Sequence, residues 1–204
     1  MQKTYLNNAY GTKDTNSTRK LYDDWAASYD AEIAENGYAT PGRCAAALAQ
    51  FTKDQNAPVL DFGCGTGLSG LALKLAGFSV IDGLDLSPEM LAKARDKGIY
   101  RRLDLVPGDA PPPLEKGVYQ AIAAIGVIGV GAAPIGVLDT LLHALPKGGR
   151  CVFSFNDHAL ADPVHEARVM EWTDCGAARL LFREHGDHLP GINIKSNVYV
   201  LEKN

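Results

Sequence analysis

Short apolar runs alternate with helical stretches along most of this chain, beginning near residue 57. Such alternation predicts β-α-β units, which build a parallel sheet with helices on both faces. The last two apolar runs follow each other too closely for a parallel crossover, so they predict an antiparallel hairpin. Strands are predicted over 59–62, 78–84, 101–106, 119–127, 150–156, 178–184 and 192–201, and helices over 68–76, 88–97, 134–145 and 164–172. The fold class is therefore α/β, with a doubly wound, mostly parallel sheet of seven strands.

The segment before the sheet predicts a helical cap. Ser17 or Thr18 suits the N-cap of a first helix, and a second helix is indicated from about Pro41 to Lys53. The apolar face of the first helix would consist of Leu21, Tyr22, Trp25, Tyr29 and Ile33, which recur at helical spacing. No repeat or linker divides the chain. We expect a single domain over 1–204, with a loose arm over 1–16, a helical cap over 17–55 and the sheet core over 56–204.

The bulk properties restrict the partners that we expect. A formal net charge of −4 offers no general attraction for a phosphate backbone, so no nucleic-acid partner is predicted. No apolar stretch is long enough to cross a membrane, and the first 20 residues lack the apolar core of an export signal. Four widely spaced cysteines without a C-x-x-C pair are typical of reduced thiols. The sequence thus predicts a cytoplasmic protein without a membrane partner and leaves its oligomeric state open.

The first predicted strand ends in three glycines at alternate positions, Gly63, Gly65 and Gly67, just before a helix. Glycine lets the backbone turn with positive φ and approach a ligand closely, while the amides of the helix N-terminus face the loop. The loop therefore predicts a cofactor site. It does not identify the cofactor, because residues 65–70 satisfy the dinucleotide pattern G-x-G-x-x-G and Asp85 follows Gly65 by 20 residues.

Three carboxylates favour one cofactor over the other. Asp61 lies in the first strand, Asp85 ends the second and Asp109 follows the third. This much negative charge is unfavourable beside the pyrophosphate of NAD or NADP. S-adenosylmethionine has no phosphate, and its sulfonium, ammonium, ribose diol and adenine amine are groups that carboxylates bind or balance. The acids therefore favour S-adenosylmethionine.

Three segments also carry a resemblance to a known family. They are Val59-Leu60-Asp61-Phe62-Gly63-Cys64-Gly65-Thr66-Gly67, Gly83-Leu84-Asp85-Leu86-Ser87-Pro88-Glu89-Met90-Leu91 and Pro107-Gly108-Asp109-Ala110. In this order and spacing they resemble the successive motifs of class I S-adenosylmethionine-dependent methyltransferases. Within that family, Gly126-Val127 through Gly131 and Pro134 are similar to the small Williams-Beuren-region methyltransferase-like group. The resemblance implies the Rossmann-like methyltransferase fold and transfer of a methyl group to an acceptor.

The resemblance implies roles for the residues of these motifs. The loop from Gly63 through Cys64 and Gly65 to Gly67 would surround the methionine moiety, and Asp61 would hold its ammonium group directly or through water. Asp85 would accept hydrogen bonds from both ribose hydroxyls.

The adenine would be held by the residues that follow the second and third strands. Leu86 would lie against the ring, Asp109 would accept from its amine and Ala110 would supply a backbone donor. Ile125 and Gly126 would complete the site. From the cap, we expect Tyr22 and Tyr29 to touch the cofactor and Trp25 to belong to the core.

The sequence says less about the residues that would bind the methyl acceptor. Methyl transfer from a sulfonium is an in-line displacement, so aligning the acceptor is the main task, and a base is needed where the acceptor is an oxygen or a protonated amine. Asp157 and His158 after the fifth strand are the candidate bases, with a helix cap or a solvated turn as the structural alternative. His185, His188 and His165 lack supporting acid or thiol ligands, so no metal is expected. We predict a small-molecule acceptor; an NAD(P)-dependent oxidoreductase and a non-catalytic S-adenosylmethionine-binding protein are the alternatives.

Overall fold

The computed structural model describes residue 5 and residues 15–107 and 114–204 of the chain. Asp109 and Ala110 lie outside these residues. The helices are α1 (Thr15–Trp25), α2 (Tyr29–Glu35), α3 (Thr40–Phe51), α4 (Leu68–Leu75), α5 (Pro88–Asp96), α6 (Gly136–Ala144), α7 (Asp157–Leu160) and α8 (Val164–Asp174). The strands are β1 (Val59–Phe62), β2 (Ile81–Asp85), β3 (Arg102–Leu105), β4 (Ala121–Ala124), β5 (Arg150–Asn156), β6 (Ala178–Leu189) and β7 (Ile194–Lys203).

The seven strands form one sheet in the order β3-β2-β1-β4-β5-β7-β6. The first five are parallel, while β7 runs antiparallel to both β5 and β6. A short 3-10 turn over Pro190–Ile192 joins the two strands of the terminal hairpin. The predicted fold class is confirmed. The strand order reverses between β1 and β4, and in doubly wound sheets ligands bind outside the carboxyl ends of the strands at such a point.

Both faces of the central strands are covered, which explains why their sequences read as continuous apolar runs rather than as alternating ones. On one face, Val59 of β1 belongs to a buried cluster with Leu48 of α3 and Leu73 of α4. On the other face, Leu60 belongs to a second cluster with Leu138 of α6 and Phe153 of β5. The described helices include none that is long and apolar enough to cross a membrane.

Most element boundaries differ from the prediction by a few residues, and three differences are larger. The first predicted cap helix is two helices, because the chain turns between Trp25 and Tyr29; the first of them begins at Thr15, so Ser17 and Thr18 lie inside it. Strand β4 stops at Ala124, since Gly126 has φ +69° and leaves the extended conformation. Strand β6 continues to Leu189, five residues beyond its predicted end.

Candidate active site

The glycine loop after β1 is fastened to the neighbouring strand. The amides of Gly63 and Cys64 both donate to the Leu84 carbonyl, at 2.8 and 3.0 Å. Gly63, Gly65 and Gly67 all have positive φ, of +70°, +52° and +96°. A Cβ on Gly63 would lie 2.1 Å from Val127 Cγ2, so this position requires glycine for space as well as for conformation. Gly67 is the N-cap of α4.

Asp85 lies beside the loop at the end of β2. Its Oδ2 accepts from the Gly65 amide at 2.8 Å, and its Oδ1 accepts from the Ser87 amide at 2.9 Å. Burial raises the pKa of this carboxyl above its usual range, although the backbone hydrogen bonds oppose the shift. Each oxygen has further lone pairs, so the carboxylate can still accept from hydroxyl groups of a ligand in the cavity that it borders.

Asp61 lies beneath the loop with none of its surface exposed. Its Oδ2 accepts from Ser69 Oγ at 2.6 Å and from Tyr100 Oη at 2.7 Å. Its Oδ1 is buried and has no hydrogen-bond partner among the described residues. Burial raises the pKa of Asp61 to about 6. A buried carboxylate oxygen without a donor is unfavourable, and a cationic ligand group supplied directly or through water would satisfy it.

Helices α1 and α2 of the cap cover the loop, and side-chain hydrogen bonds connect them to the loop and to Ser87. Asp30 of α2 accepts from the Thr66 hydroxyl and, at 2.7 Å, from Lys97 Nζ, which also donates to the Thr66 carbonyl at 2.6 Å. Ser87 Oγ donates to Asp23 of α1 at 2.5 Å. The cap is thus held over the loop by hydrogen bonds at both of its helices.

The aromatic side chains of the cap have different surroundings, and Trp25 belongs to the core, as its position in the sequence predicts. This ring is 2% exposed, packs edge-on against Tyr29 at 4.7 Å and donates from Nε1 to Glu32 at 2.8 Å. Tyr22 and Tyr29 border the cavity above the glycine loop together with Gly63 and Asp85. Burial raises the pKa of Tyr29 well above its usual range, so its hydroxyl stays protonated.

This cofactor cavity encloses about 720 Å³ of space between protein atoms, part of which is open to solvent. Eight of the residues predicted from the sequence to bind the cofactor line it: Tyr22, Tyr29, Gly63, Gly65, Asp85, Leu86, Ile125 and Gly126. Cys64 borders an adjoining cavity of about 270 Å³. Thr18, Met90 and Val106 also line the main cavity, although no sequence motif pointed to them.

A second cavity of about 590 Å³ adjoins the first and shares Tyr22, Tyr29, Gly126 and Ala132 with it. The remaining polar groups come from distant parts of the chain. They belong to Tyr38, Ser154, Asn156 and His188. We call this space the acceptor cavity.

The candidate bases Asp157 and His158 lie in the short helix α7, and both are exposed. Asp157 Oδ2 accepts from the Lys195 amide of β7 at 2.8 Å, while Asn156 caps the helix by accepting from the Ala159 amide. Neither candidate lines the acceptor cavity. Their catalytic role stays a prediction, and the geometry resembles the structural alternative of a capped turn.

The histidines of the H-x-x-H pattern point to different partners. His185 Nδ1 lies 2.8 Å from Asn197 Oδ1, whereas His188 Nδ1 lies 2.8 Å from Thr40 Oγ1. In the described part of the chain, no three His, Cys, Asp or Glu side chains form a group that could hold a metal. His188 is instead a site residue that the sequence analysis missed, and its only sequence signal was this pattern.

Comparison with known proteins identifies the domain. Residues 37–196 match the family described as a methyltransferase domain. Methyltransferase-like protein 27 of Homo sapiens is 33% identical over 147 residues, which is 71% of this chain and 60% of that protein.

Two other curated relatives match over shorter segments. The 18S rRNA (guanine(1575)-N(7))-methyltransferase of Saccharomyces cerevisiae is 33% identical over 54% of this chain and 46% of its own length. The ribosomal protein L11 methyltransferase of Serratia proteamaculans is 32% identical over 45% of this chain and 30% of its own length. The chain therefore spans at most about three fifths of the relatives that it matches.

Solved structures share the fold at low sequence identity. The complex of the Trm112 methyltransferase activator of Haloferax volcanii with a methyltransferase contains a match of TM-score 0.69, 17% identical, covering 91% of this chain and 97% of that chain. The [4+2]-cyclase SpnF matches with TM-score 0.68 and 16% identity, over 94% of this chain and 97% of that chain. At such identities the likeness concerns the fold, and it extends to a protein named for another reaction.

These relatives overturn the prediction about partners. From the sequence we predict a small-molecule acceptor and no nucleic-acid partner. Relatives of the domain are named for an 18S rRNA guanine and for ribosomal protein L11, and a structural neighbour was solved with a protein activator. The prediction was wrong because a net charge averages over the whole surface, whereas binding depends on the local arrangement of charge.

Proposed function

This chain belongs to the family of S-adenosylmethionine-dependent methyltransferases, and we propose that it transfers the methyl group to an acceptor group that enters the acceptor cavity beside Tyr38 and His188. The observation that carries the proposal is the Asp61 Oδ1, which is buried beneath the glycine loop and has no hydrogen-bond partner within 15–107 and 114–204. An ammonium group satisfies such an oxygen, whereas a pyrophosphate would be repelled by it. The dinucleotide alternative lacks this support.

The cofactor supplies an electrophilic methyl group on a positively charged sulfur. We propose that Gly63, Gly65 and Gly67, with Cys64, leave room for the methionine moiety above Asp61. Asp85 accepts from the ribose hydroxyls.

The adenine and the sulfur contact other elements. Leu86 packs against the adenine, and Ile125 and Gly126 close the opposite wall of the cavity. Asp109 and Ala110 belong to the same proposal through the family resemblance, although they lie outside the described residues. Tyr22 and Tyr29 present aromatic surface toward the sulfonium, and aromatic faces attract cations.

The adjacency of the two cavities supports a direct transfer. Because Tyr22, Tyr29, Gly126 and Ala132 border both cavities, an acceptor bound in one lies beside a methyl group bound in the other. The protein's contribution is to align the two groups and to exclude water, which in well-oriented reactions accounts for a large part of the rate enhancement. Asp157 and His158 remain the predicted bases for an acceptor that must lose a proton.

Calorimetry and turnover test the proposal. Titration with S-adenosylhomocysteine should give micromolar binding and titration with NAD should give none; tight NAD binding without a response to the adenosyl ligand contradicts the cofactor assignment. Incubation with methyl-labelled cofactor and a cell extract, followed by separation into RNA, protein and low-molecular-weight fractions, should label one fraction. Binding without any labelled product would favour the non-catalytic alternative.

We also propose a cytoplasmic location, because the four cysteines Cys44, Cys64, Cys151 and Cys175 are free thiols in the structure and thiols stay reduced in that compartment. Fractionation of cells that express the tagged chain tests the location. The arrangement of the chain as one domain over 1–204 likewise stays a proposal, and limited proteolysis tests it, since a single cooperative unit should resist cleavage throughout 17–107 and 114–204.

A further inference from the structure

The acceptor cavity differs from the cofactor cavity in carrying no charge. Among the described residues that line it, none is Asp, Glu, Lys or Arg. The walls near the cap are aromatic, with Trp25, Tyr29 and Tyr38 among them. Its polar groups are hydroxyls, the Asn156 amide and the imidazole of His188, which is 6% exposed. A charged group that entered this cavity would lose its hydration without gaining a counter-charge.

A chain of hydrogen bonds fixes the imidazole of His188. Its Nδ1 lies 2.8 Å from Thr40 Oγ1 at the start of α3. Thr40 Oγ1 lies 3.0 Å from Ser196 Oγ on β7, and Arg43 Nη1 donates to Ser196 Oγ at 3.0 Å. Thr40 and Ser196 are completely buried, so these hydroxyls depend on one another for partners.

The direction of this chain follows from Arg43, since a guanidinium only donates hydrogen bonds. Ser196 Oγ accepts from Arg43 and has one proton of its own to donate, for which Thr40 Oγ1 is the neighbouring acceptor among the described residues. The Thr40 proton is then left for Nδ1 of His188. The opposite direction would leave the buried Ser196 proton without an acceptor among the described residues, which is unfavourable. Nδ1 is thus an acceptor, and the neutral ring carries its proton on Nε2.

The surroundings also keep the ring neutral. Burial lowers the pKa of His188 to about 4, with further lowering by Arg43 and His158 and an opposing effect of Asp157. A histidine that serves as a base typically donates from Nδ1 to a carboxylate, which stabilises the charged ring. At His188 the Nδ1 partner is a hydroxyl that donates, so the ring is arranged to give a hydrogen bond from Nε2 and not to take up a proton.

We propose that His188 binds the methyl acceptor by donating from Nε2, and that the acceptor group is uncharged, planar and equipped with a hydrogen-bond-accepting oxygen or nitrogen. The inference rests on the proposed function, because it presumes that the second cavity receives the acceptor. The aromatic walls select the planar shape, and the absence of counter-charge excludes ammonium, carboxylate and phosphate groups from the cavity itself. Thr40 acts as a positioning residue that sets the tautomer.

The first test measures the tautomer. Long-range proton–nitrogen NMR correlations of histidine-labelled protein at pH 7 should show His188 with a proton on Nε2 and none on Nδ1. Thr40→Val should lose this preference and populate both tautomers. Where Thr40→Val fails to fold, Ser196→Ala removes the preceding link in the chain and should have the same effect. A proton on Nδ1, or a charged ring, in the unaltered protein overturns the inference.

The second test compares three probes that share one ring and differ in charge: benzamide, benzoate and benzylamine. With S-adenosylhomocysteine at saturation, benzamide should shift the His188 ring resonances, while benzoate and benzylamine should bind at least tenfold more weakly. His188→Ala should weaken benzamide binding about five- to tenfold, the range for one neutral hydrogen bond. His188→Gln, whose amide also donates, should recover most of the affinity.

S-adenosylhomocysteine affinity is measured on every sample. If it is micromolar in all variants and the three probes nevertheless bind equally, the inference about His188 fails and the proposed function stands. If the unaltered protein does not bind S-adenosylhomocysteine, the proposed function fails first.

Discussion

The cofactor cavity and the acceptor cavity share lining residues but differ in the charge of the side chains around them. The cofactor cavity is bordered by the glycine loop and the half-buried Asp85, with the fully buried Asp61 beneath the loop, and both carboxyls have a raised pKa. The acceptor cavity has aromatic walls, neutral donors and no charged side chain among its described lining residues. Under the proposed function, this difference teaches how charge can be used near a sulfonium: the acids would hold the cationic cofactor, while the neighbouring uncharged cavity would keep ions away from the reacting methyl group.

The largest effect is expected where the cofactor side depends on backbone shape. Gly63→Ala places a Cβ 2.1 Å from Val127 Cγ2 at a positive φ, and should lower the free energy of unfolding by about 3 kcal/mol. Gly148→Ala is a matched control, because Gly148 also has positive φ but has open space around it; its cost should be about 1 kcal/mol. Urea denaturation measures both. Equal losses would mean that conformation alone, and not contact with Val127, requires glycine at 63.

The second effect concerns the carboxylate at the end of β2. Asp85→Ala should weaken S-adenosylhomocysteine binding by about 1–3 kcal/mol, because two ribose hydroxyls lose their acceptor. Asp104→Ala removes the same charge from the exposed strand β3, where Asp104 pairs with Arg102 at 2.7 Å, and should leave the affinity unchanged. Calorimetry compares the two variants. An equal loss in both would show that net charge, and not the site, drives binding.

The third effect is a pH dependence confined to the cofactor side. Burial raises the pKa of Asp61 to about 6, so below this pH the carboxyl is protonated and cannot balance an ammonium group. S-adenosylhomocysteine should bind about tenfold more weakly at pH 5 than at pH 7. Asp61→Asn should bind weakly at both values, with a flatter profile. In the ligand-free protein the sign is opposite: since the folded pKa is raised, ionisation of Asp61 destabilises the fold as pH rises from about 4 to about 6.

The smallest effect concerns the tie between cap and loop. Asp30→Ala removes the acceptor of Thr66 and Lys97. Because Asp30 and Lys97 are partly exposed, stability should fall by less than about 1 kcal/mol, while dissociation of S-adenosylhomocysteine becomes a few times faster. Stopped-flow fluorescence measures the rate, and Lys97→Met should give a similar change. If the double variant shows the sum of the two single effects, the residues do not act through their shared contact.

The two cavities also differ in how far the sequence reveals them. Most of the predicted cofactor residues in the described chain lie in short continuous motifs. In these motifs a strand end, a glycine turn and a helix start follow one another directly, so their relative positions are set by neighbouring residues. Gly63, Asp61 and Asp85 could therefore be assigned to a common site before any coordinates. The sequence does not predict which groups donate hydrogen bonds to the Asp61 carboxylate. Ser69 and Tyr100 reach it only because α4 and the segment before β3 pack beside β1.

The acceptor cavity could not be predicted in this way, because its polar groups come from segments far apart in the chain. Tyr38 lies between α2 and α3, Asn156 ends β5 and His188 lies near the end of β6. The predicted strand ends at 184, before the polar run His185-Gly186-Asp187-His188. That run is nevertheless extended in the structure, and Arg43 holds it by donating to the carbonyls of Glu184 and Asp187.

The cap that carries Tyr22 and Tyr29 is a wall of both cavities. It therefore cannot swing away from one cavity without uncovering the other. Under the proposed function, opening of the cap exposes the spent cofactor and the methylated product together, and it requires the hydrogen bonds at Asp23 and Asp30 to break. The frequency with which the cap opens would then limit turnover, however fast the methyl group itself is transferred.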